Sequence, residues 1–314
     1  MKTCKLMPAM LALALGLSLP GCGKPEKVEL KLKWPTGSRA LQTLDFQQTV
    51  DTFVPGRPAP IQQQMTLRQR YEVTFAKDLP DGGHQVELEF LGTQMTGRAG
   101  DTDLNFDTSQ PGTGGPLGAA FQKLVGAKVA LILDAGNEVQ RIEGMDDIQR
   151  RKSGAADPAG ILKSLFTEES FKQMMNDNRN LPDRPVRPGD SWPVRTEIVM
   201  GELGPVLLDY TYTLKSWEKR DQHRLARIQF TGTLATKAGK NLKIAGMDAA
   251  LEGGKSAGET RFDLERGRFA DMSATQDMKM YLTLPSQARG AAAGGTQIIT
   301  NILNQVILAK EEAK

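Results

Sequence analysis

The chain has 314 residues, 39% of them hydrophobic, and a formal net charge of +3, so it is long enough to bury a sizeable core in one large or two modest domains. Its 40 basic and 37 acidic residues are scattered and it carries only three Trp and four Tyr, which leaves no basic stripe with aromatic platforms and excludes nucleic acid as the expected partner. With Cys4 and Cys22 as the two cysteines, neither a disulfide framework nor a thiolate metal site is expected.

The amino terminus reads as a secretory signal: Lys2 and Lys5 precede an apolar run, Leu6 to Leu19, that is too short to span a bilayer comfortably. Leu19-Pro20-Gly21-Cys22 resembles the lipobox of bacterial lipoproteins, with Leu19 and Gly21 at the positions read by the lipoprotein signal peptidase. That resemblance implies removal of residues 1–21 and acylation of Cys22, which becomes the link to the membrane. Two or three acyl chains hold firmly, at about 0.8 kcal/mol per buried methylene. The alternative is a plain secreted protein with Cys22 as a free thiol. Cleavage takes Lys2 and Lys5 away and lowers the net charge by two from +3, to about +1. Residues 22–27 form a polar tether, and the lack of Asp after Cys22 resembles the sorting signal for the outer membrane.

Beyond the tether, Val28 to Trp34 alternates apolar and charged residues and predicts a strand with Val28, Leu30, Leu32 and Trp34 on one face. Segments 38–53 and 62–76 continue as strands around the Pro-Gly loop Val54 to Pro60, and Pro80-Asp81-Gly82-Gly83 turns the chain into Val86 to Phe90. A short helix is expected over Ala119 to Leu124, then a strand pair, Lys128 to Asp134 and Glu138 to Ile142, around Ala135-Gly136-Asn137. Asp157-Pro158 reads as an N-cap with proline at the first helical position, with Leu162 and Phe166 at helical spacing, and Thr167 to Ser170 opens a second helix carrying Phe171, Met174 and Met175. Leu181 to Asp190, four charged residues interleaved with three prolines, reads as a linker.

Strands then resume as a partial repeat: Tyr71 to Phe75 compares with Tyr210 to Leu214, each followed by a charged turn, a histidine and a strand ending in Gly-Thr, at Gly92-Thr93 and Gly232-Thr233. Phe262 to Phe269 is a looser counterpart of the hairpin at 129–142. The apolar run at 297–309 fits strand or helix, and its β-branched content favours a long last strand after Lys279 to Leu284. This order of lipobox, alternating and Gln/Thr-rich strands, Asp-Gly-Gly turn, Pro-Gly-Asp-Ser-Trp boundary and second meander resembles an uncharacterised family of β-rich bacterial lipoproteins, which implies an architecture and no activity.

Candidate chemistry is sparse. Gly189-Asp190-Ser191 is similar to the Gly-Asp-Ser nucleophile of a hydrolase family, but it follows a proline-rich stretch and neither histidine lies in the Asp-x-x-His pattern that would supply a base, so turn chemistry is the simpler reading. Asp101 to Asp107 starts like a calcium loop yet has Phe106 where glycine is needed and Gly112 where a glutamate is needed, and it fits a strand with Leu104 and Phe106 inward. His84 and His223 form a pH-sensitive or metal pair only if the fold joins them. Met174, Met175, Met200, Met247, Met272, Met278 and Met280 fit core filling or the lining of an apolar site.

The expected fold class is therefore mainly β: two related antiparallel meanders, 28–143 and 191–314, sharing a core in a single body over 28–314, with a helical insert at 144–180 and a linker at 181–190. Phe90, Tyr212, Phe230 and Phe262 are expected near that core, and Leu162, Phe166 and Phe171 on its cover. The expected task is non-enzymatic, needing no cofactor or metal: a lipid-anchored envelope protein, on the periplasmic face of the outer membrane, that binds an apolar ligand or an envelope protein. A hydrolase built on Ser191 and a purely structural component are the alternatives.

Overall fold

Long antiparallel strands dominate the chain, most of them 14 to 18 residues against a usual five or six. The computed structural model describes residues 26–310 apart from 55, 100–101, 155–161, 163–164, 177–179, 200–204, 237–241, 245–246 and 284–294. In chain order, β1 (Arg39–Phe53), β2 (Ile61–Asp78), β3 (His84–Ala99) and β4 (Thr102–Asp107) precede α1 (Gly115–Leu124), β5 (Lys128–Leu133), β6 (Val139–Glu143), α2 (Met145–Lys152) and α3 (Glu168–Asn176). The second half holds β7 (Ser191–Val199), β8 (Pro205–Arg220), β9 (His223–Thr236), β10 (Leu242–Ile244), β11 (Met247–Asp263), β12 (Arg268–Thr283) and β13 (Gly295–Lys310). The fold is mainly β, as the alternating patterns predict, and residues 297–309 lie in a strand.

The strands form one sheet in the order β6-β5-β3-β2-β1-β13-β12-β11-β9-β8-β7, with β4 on β3 and β10 on β11. The chain thus starts in the middle, runs out to β6, crosses to the opposite edge at β7 and returns to the middle. There β13 pairs with β1 over its whole length, from Arg39 opposite Lys310 to Phe53 opposite Thr296. Tyr71 faces Phe90 across β2 and β3, and Tyr212 faces Phe230 across β8 and β9; both hairpins carry a bulge near the turn and start their return strand with a histidine, His84 or His223.

The sheet curls. Strands sit about 4.8 Å apart, so Phe75 on β2 and Tyr212 on β8, six steps away, would be about 29 Å apart on a flat sheet. They line one cavity instead, and the Arg268 guanidinium on β12 lies 5.9 Å from the centre of the Phe75 ring. Two in-strand glycines help. A side chain at Gly232 would collide with the Tyr210 ring and one at Gly258 with the Phe230 ring, so each glycine lets an aromatic ring of the neighbouring strand lie flat over it.

Inside the curl the buried side chains form three clusters. In the first, α1, α2 and α3 fill the concave side of β2–β5: Phe166, fully buried, meets Phe90 at 5.2 Å, Phe121 at 6.0 Å and Phe171 at 6.4 Å between ring centres. Leu162, Phe166 and Phe171 thus cover Phe90 as expected. Tyr212, Phe230 and Phe262 belong to a second cluster with Trp192 and Leu30. The third, with Met278, Met280 and Ile299, lies between β8 and β13. The Asp157-Pro158 cap lies outside the described residues, whereas α3 opens as predicted: Ser170 N–H donates to Thr167 Oγ1 (3.0 Å) and Thr167 N–H to Ser170 Oγ (3.2 Å). Helix α2 falls within the helical insert expected over 144–180, though the pattern marks no helix at 145–152 because Ile148 is its one buried residue; acidic Asp146 and Asp147 in its first turn and basic Arg150 to Lys152 in its last suit the helix dipole.

The expected first strand is corrected by the structure. Residues 28–34 make a single bridge, Val28 to Val186, and run as a strap rather than as a sheet strand. Their alternation is real, with Leu30 buried, but the strap's inward side chains serve different clusters, Leu30 the second and Trp34 the first. Lys33 N–H donates to the Gly267 carbonyl (2.9 Å), so the strap's backbone bonds go to turns instead of a neighbouring strand. The segment 181–190 is pinned too: Val186 is fully buried, and the Gly189 N–H donates to the Leu214 carbonyl at 2.8 Å.

Removing everything after Asp183 would delete β13 and leave β1 as a 15-residue open edge. Such a fragment is expected to aggregate and to show no cooperative melt by circular dichroism; a soluble fragment with its own sharp transition would show that the first half stands alone.

Candidate ligand cavity

Between the helix-filled half and the Tyr212 cluster the curled sheet leaves a cavity. About 70 Å³ is open to the centre of a water-sized sphere, enough for a small apolar group or the end of a chain rather than for a whole lipid. Its wall draws on both halves: Ala40 and Gln42 of β1, Val73 and Phe75 of β2, Tyr212 of β8, Phe230 of β9, Met272 of β12 and Ile307 of β13, with Met175 of α3 at its cover. The strap crosses its mouth with Leu32, Lys33 and Trp34. Trp34 stacks on His84 at 5.3 Å, meets Phe75 edge-on at 5.3 Å, and donates its indole N–H to Asn137 Oδ1 at 2.8 Å, which ties the strap to the β5–β6 turn. Lys33 Nζ donates to the carbonyls of Leu264 (2.9 Å) and Glu265 (3.0 Å) in the β11–β12 turn. One short segment therefore holds hairpin ends from both halves.

Three charged side chains line the cavity: Lys33, Arg268 and Asp271. Asp271 is neutralised, with Arg261 Nη1 and Arg220 Nη1 each at 3.0 Å. Those arginines belong to a wider network in which Arg261 also meets Glu218 and Glu259, each at 2.9 Å, and the carboxylates hold the Arg261 guanidinium above its ordinary value. Arg268 differs: desolvation by the apolar wall pulls its pKa below the ordinary value and the neighbouring Arg266 adds to that, with only Asp263 opposing. Burial also pushes the Tyr71 phenol up, well beyond its usual range.

The sequence candidates fall as follows. Leu19, Gly21 and Cys22 lie outside the described residues. Ser191 Oγ shares a hydrogen bond with Thr213 Oγ1 across β7 and β8 (2.9 Å), a strand-edge contact, and both histidines are engaged elsewhere. His84 Nδ1 lies 2.9 Å from Asp78 Oδ1, and His223 Nδ1 lies 3.1 Å from Asp263 and 3.9 Å from Glu265, so each histidine keeps carboxylates of its own. His223, Asp263 and Glu265 come close enough for a cation, but Asp263 is already held by the Arg266 backbone N–H (2.8 Å) and guanidinium (3.3 Å). The would-be calcium loop is β4, with Leu104 and Phe106 buried; Asp103 pairs with Arg98, and the Ser109 hydroxyl, its backbone N–H and the Gln94 amide hold Asp107 below the usual carboxylate range. Of the methionines, Met175 and Met272 line the cavity while Met278 and Met280 fill core; nothing is described of the side chains of Met174, Met200 and Met247. Arg268 was missed: the turn Arg266-Gly267-Arg268 reads as a solvated hairpin end, and only the curl turns it inward.

Among known proteins, a family described as a family of unknown function (DUF6263) matches residues 81–268. No curated protein matches the chain. Solved structures that align with it include an outer membrane channel from Pseudomonas putida F1 (7% identity, 89% of this chain and 98% of that one, TM-score 0.25). DynF of the dynemicin biosynthesis pathway of Micromonospora chersina aligns at 8% identity over 94% and 92%, TM-score 0.19. A LolA superfamily protein from Nitrosomonas europaea aligns at 8% over 90% and 90%, TM-score 0.17. Likeness at this level carries no conclusion about task.

A Cβ at position 258 would stand 2.4 Å from both the Phe230 ring and the Ser273 carbonyl. Gly258→Ala is therefore expected to cost about 1–3 kcal/mol by overpacking, read as a lower midpoint in a urea melt; an unchanged midpoint would show that the ring does not need the glycine.

Proposed function

The chain belongs to the DUF6263 family of unknown function, and from the cavity that this matched region helps to enclose we propose that it is a non-catalytic binding protein for an apolar ligand. The observation that carries this reading is the mixed origin of the wall. Apolar side chains from β1, β2, β8, β9, β12, β13 and α3 converge on one cavity, the concave and mostly apolar kind of site that takes a small ligand.

The same proposal places the protein in the cell envelope, held by acylated Cys22 after cleavage behind Gly21. The lipobox resemblance supports that address, together with the apparent sorting signal for the outer membrane. Residues 23–27 are then a short tether to the strap that crosses the cavity mouth, so the binding site sits close to the membrane surface.

Two experiments test it. Cys22→Ser should abolish incorporation of a labelled fatty acid; label persisting on the variant would sink the lipoprotein assignment. For the cavity, an organic extract of natively purified protein should contain an amphiphile in stoichiometric amount, reduced at least tenfold in Met272→Trp, whose larger ring fills the space. Equal traces from both proteins would contradict ligand binding.

A further inference from the structure

Four buried side-chain polar atoms lack a hydrogen-bond partner among the described residues, those of Ser38, Gln69, Thr93 and Arg268, and only the last belongs to a charged group. Arg268 Nη1 is sealed from solvent beside the cavity, with the guanidinium over the Phe75 ring at 5.9 Å from its centre, near the outer limit for a cation–π contact. The carboxylates near it are committed: Asp271 to Arg220 and Arg261, and Asp263 to His223 and Arg266. Arg268 as a whole is half-buried, but its sealed Nη1 has no hydrogen-bond partner among the described residues, and a buried donor left unsatisfied is costly. Gln42, only 7% exposed, offers an amide on the same wall.

Resting on the apolar-ligand reading, we infer that the cavity takes an anionic amphiphile of the fatty-carboxylate class, its carboxylate paired with Arg268 and its chain lying among Val73, Phe230, Met272 and Ile307. The guanidinium fork matches a carboxylate in two parallel hydrogen bonds, which a Lys point charge cannot do. The remaining lining offers a chain no second cation without a partner, since Lys33 is bound to two carbonyls. An uncharged ligand of the same length would bring no negative charge to the Arg268 guanidinium.

The test compares hexanoate with 1-hexanol, short enough to enter the cavity and to avoid uptake by detergent, by isothermal titration of the processed, acylated chain. The wild type should bind hexanoate at least tenfold tighter than hexanol. Arg268→Met should lose at least tenfold for hexanoate and keep its hexanol affinity, while Arg268→Lys keeps part of the preference. Arg268→Met should also melt at the wild-type temperature or above, because it removes a sealed donor that has no hydrogen-bond partner. A lower melting temperature with an unchanged hexanoate-to-hexanol ratio would make Arg268 structural and overturn the inference. Equal binding of the two probes by the wild type would overturn it as well, and leave the apolar cavity standing. Binding of neither would overturn both.

Discussion

The ladder between β1 and β13 is the interaction on which the rest depends. It joins the first strand of the sheet to the last across the whole length of β1. Without it there are two open sheets, each with a long unpaired edge and each with its concave side half covered. With it, the natural twist of so many long strands accumulates into a curl that closes around its own side chains. The cavity is a consequence of that closure. Val73 and Met272 can face the same space only because β1 and β13 hold β2 and β12 at a fixed separation.

The two halves use the enclosed volume differently, and the difference decides where a ligand fits. On the β2–β5 side Phe121 of α1, Phe171 of α3 and Phe166 just before α3 fill the concavity. On the other side aromatic rings lie flat over Gly232 and Gly258 and make a thin lining instead of a filled layer. The free space lies at the seam. The strap from the amino terminus closes it by contacts to turns in both halves, so the anchoring end of the chain and the mouth of the cavity are mechanically one feature. Arg268 sits at that seam because the β11–β12 hairpin ends beneath the strap.

Much of the fold was legible because it rests on local signals. Alternation marked the strands, Asp-Gly-Gly and Gly-Asn marked turns, and the Thr167 to Ser170 box marked α3. The ambiguous run at 297–309 resolves as strand because Ile298, Ile299 and Ile302 pair with β1 and β12 on both sides, a context the run itself does not contain. What stayed hidden depends on curvature. Val28 to Trp34 alternates like a strand but spends its backbone bonds on Val186 and Gly267, and α2 carries too little apolar pattern to be seen. Nothing in Arg266-Gly267-Arg268 distinguishes the arginine that points to solvent and Asp263 from the one beside the Phe75 ring. The cavity itself has no motif, since its wall is assembled from the strap, α3 and strands of both halves.

The methionines give the most direct measurement of the central claim that this seam is an open apolar site. Met175 and Met272 line it, whereas Met95, Met278 and Met280 are packed in core clusters. In protein labelled with carbon-13 at the methionine methyl groups, titration with 1-hexanol should shift the Met175 and Met272 resonances progressively and leave Met95, Met278 and Met280 in place. Shifts confined to the packed methionines, or spread evenly over all five, would contradict the account.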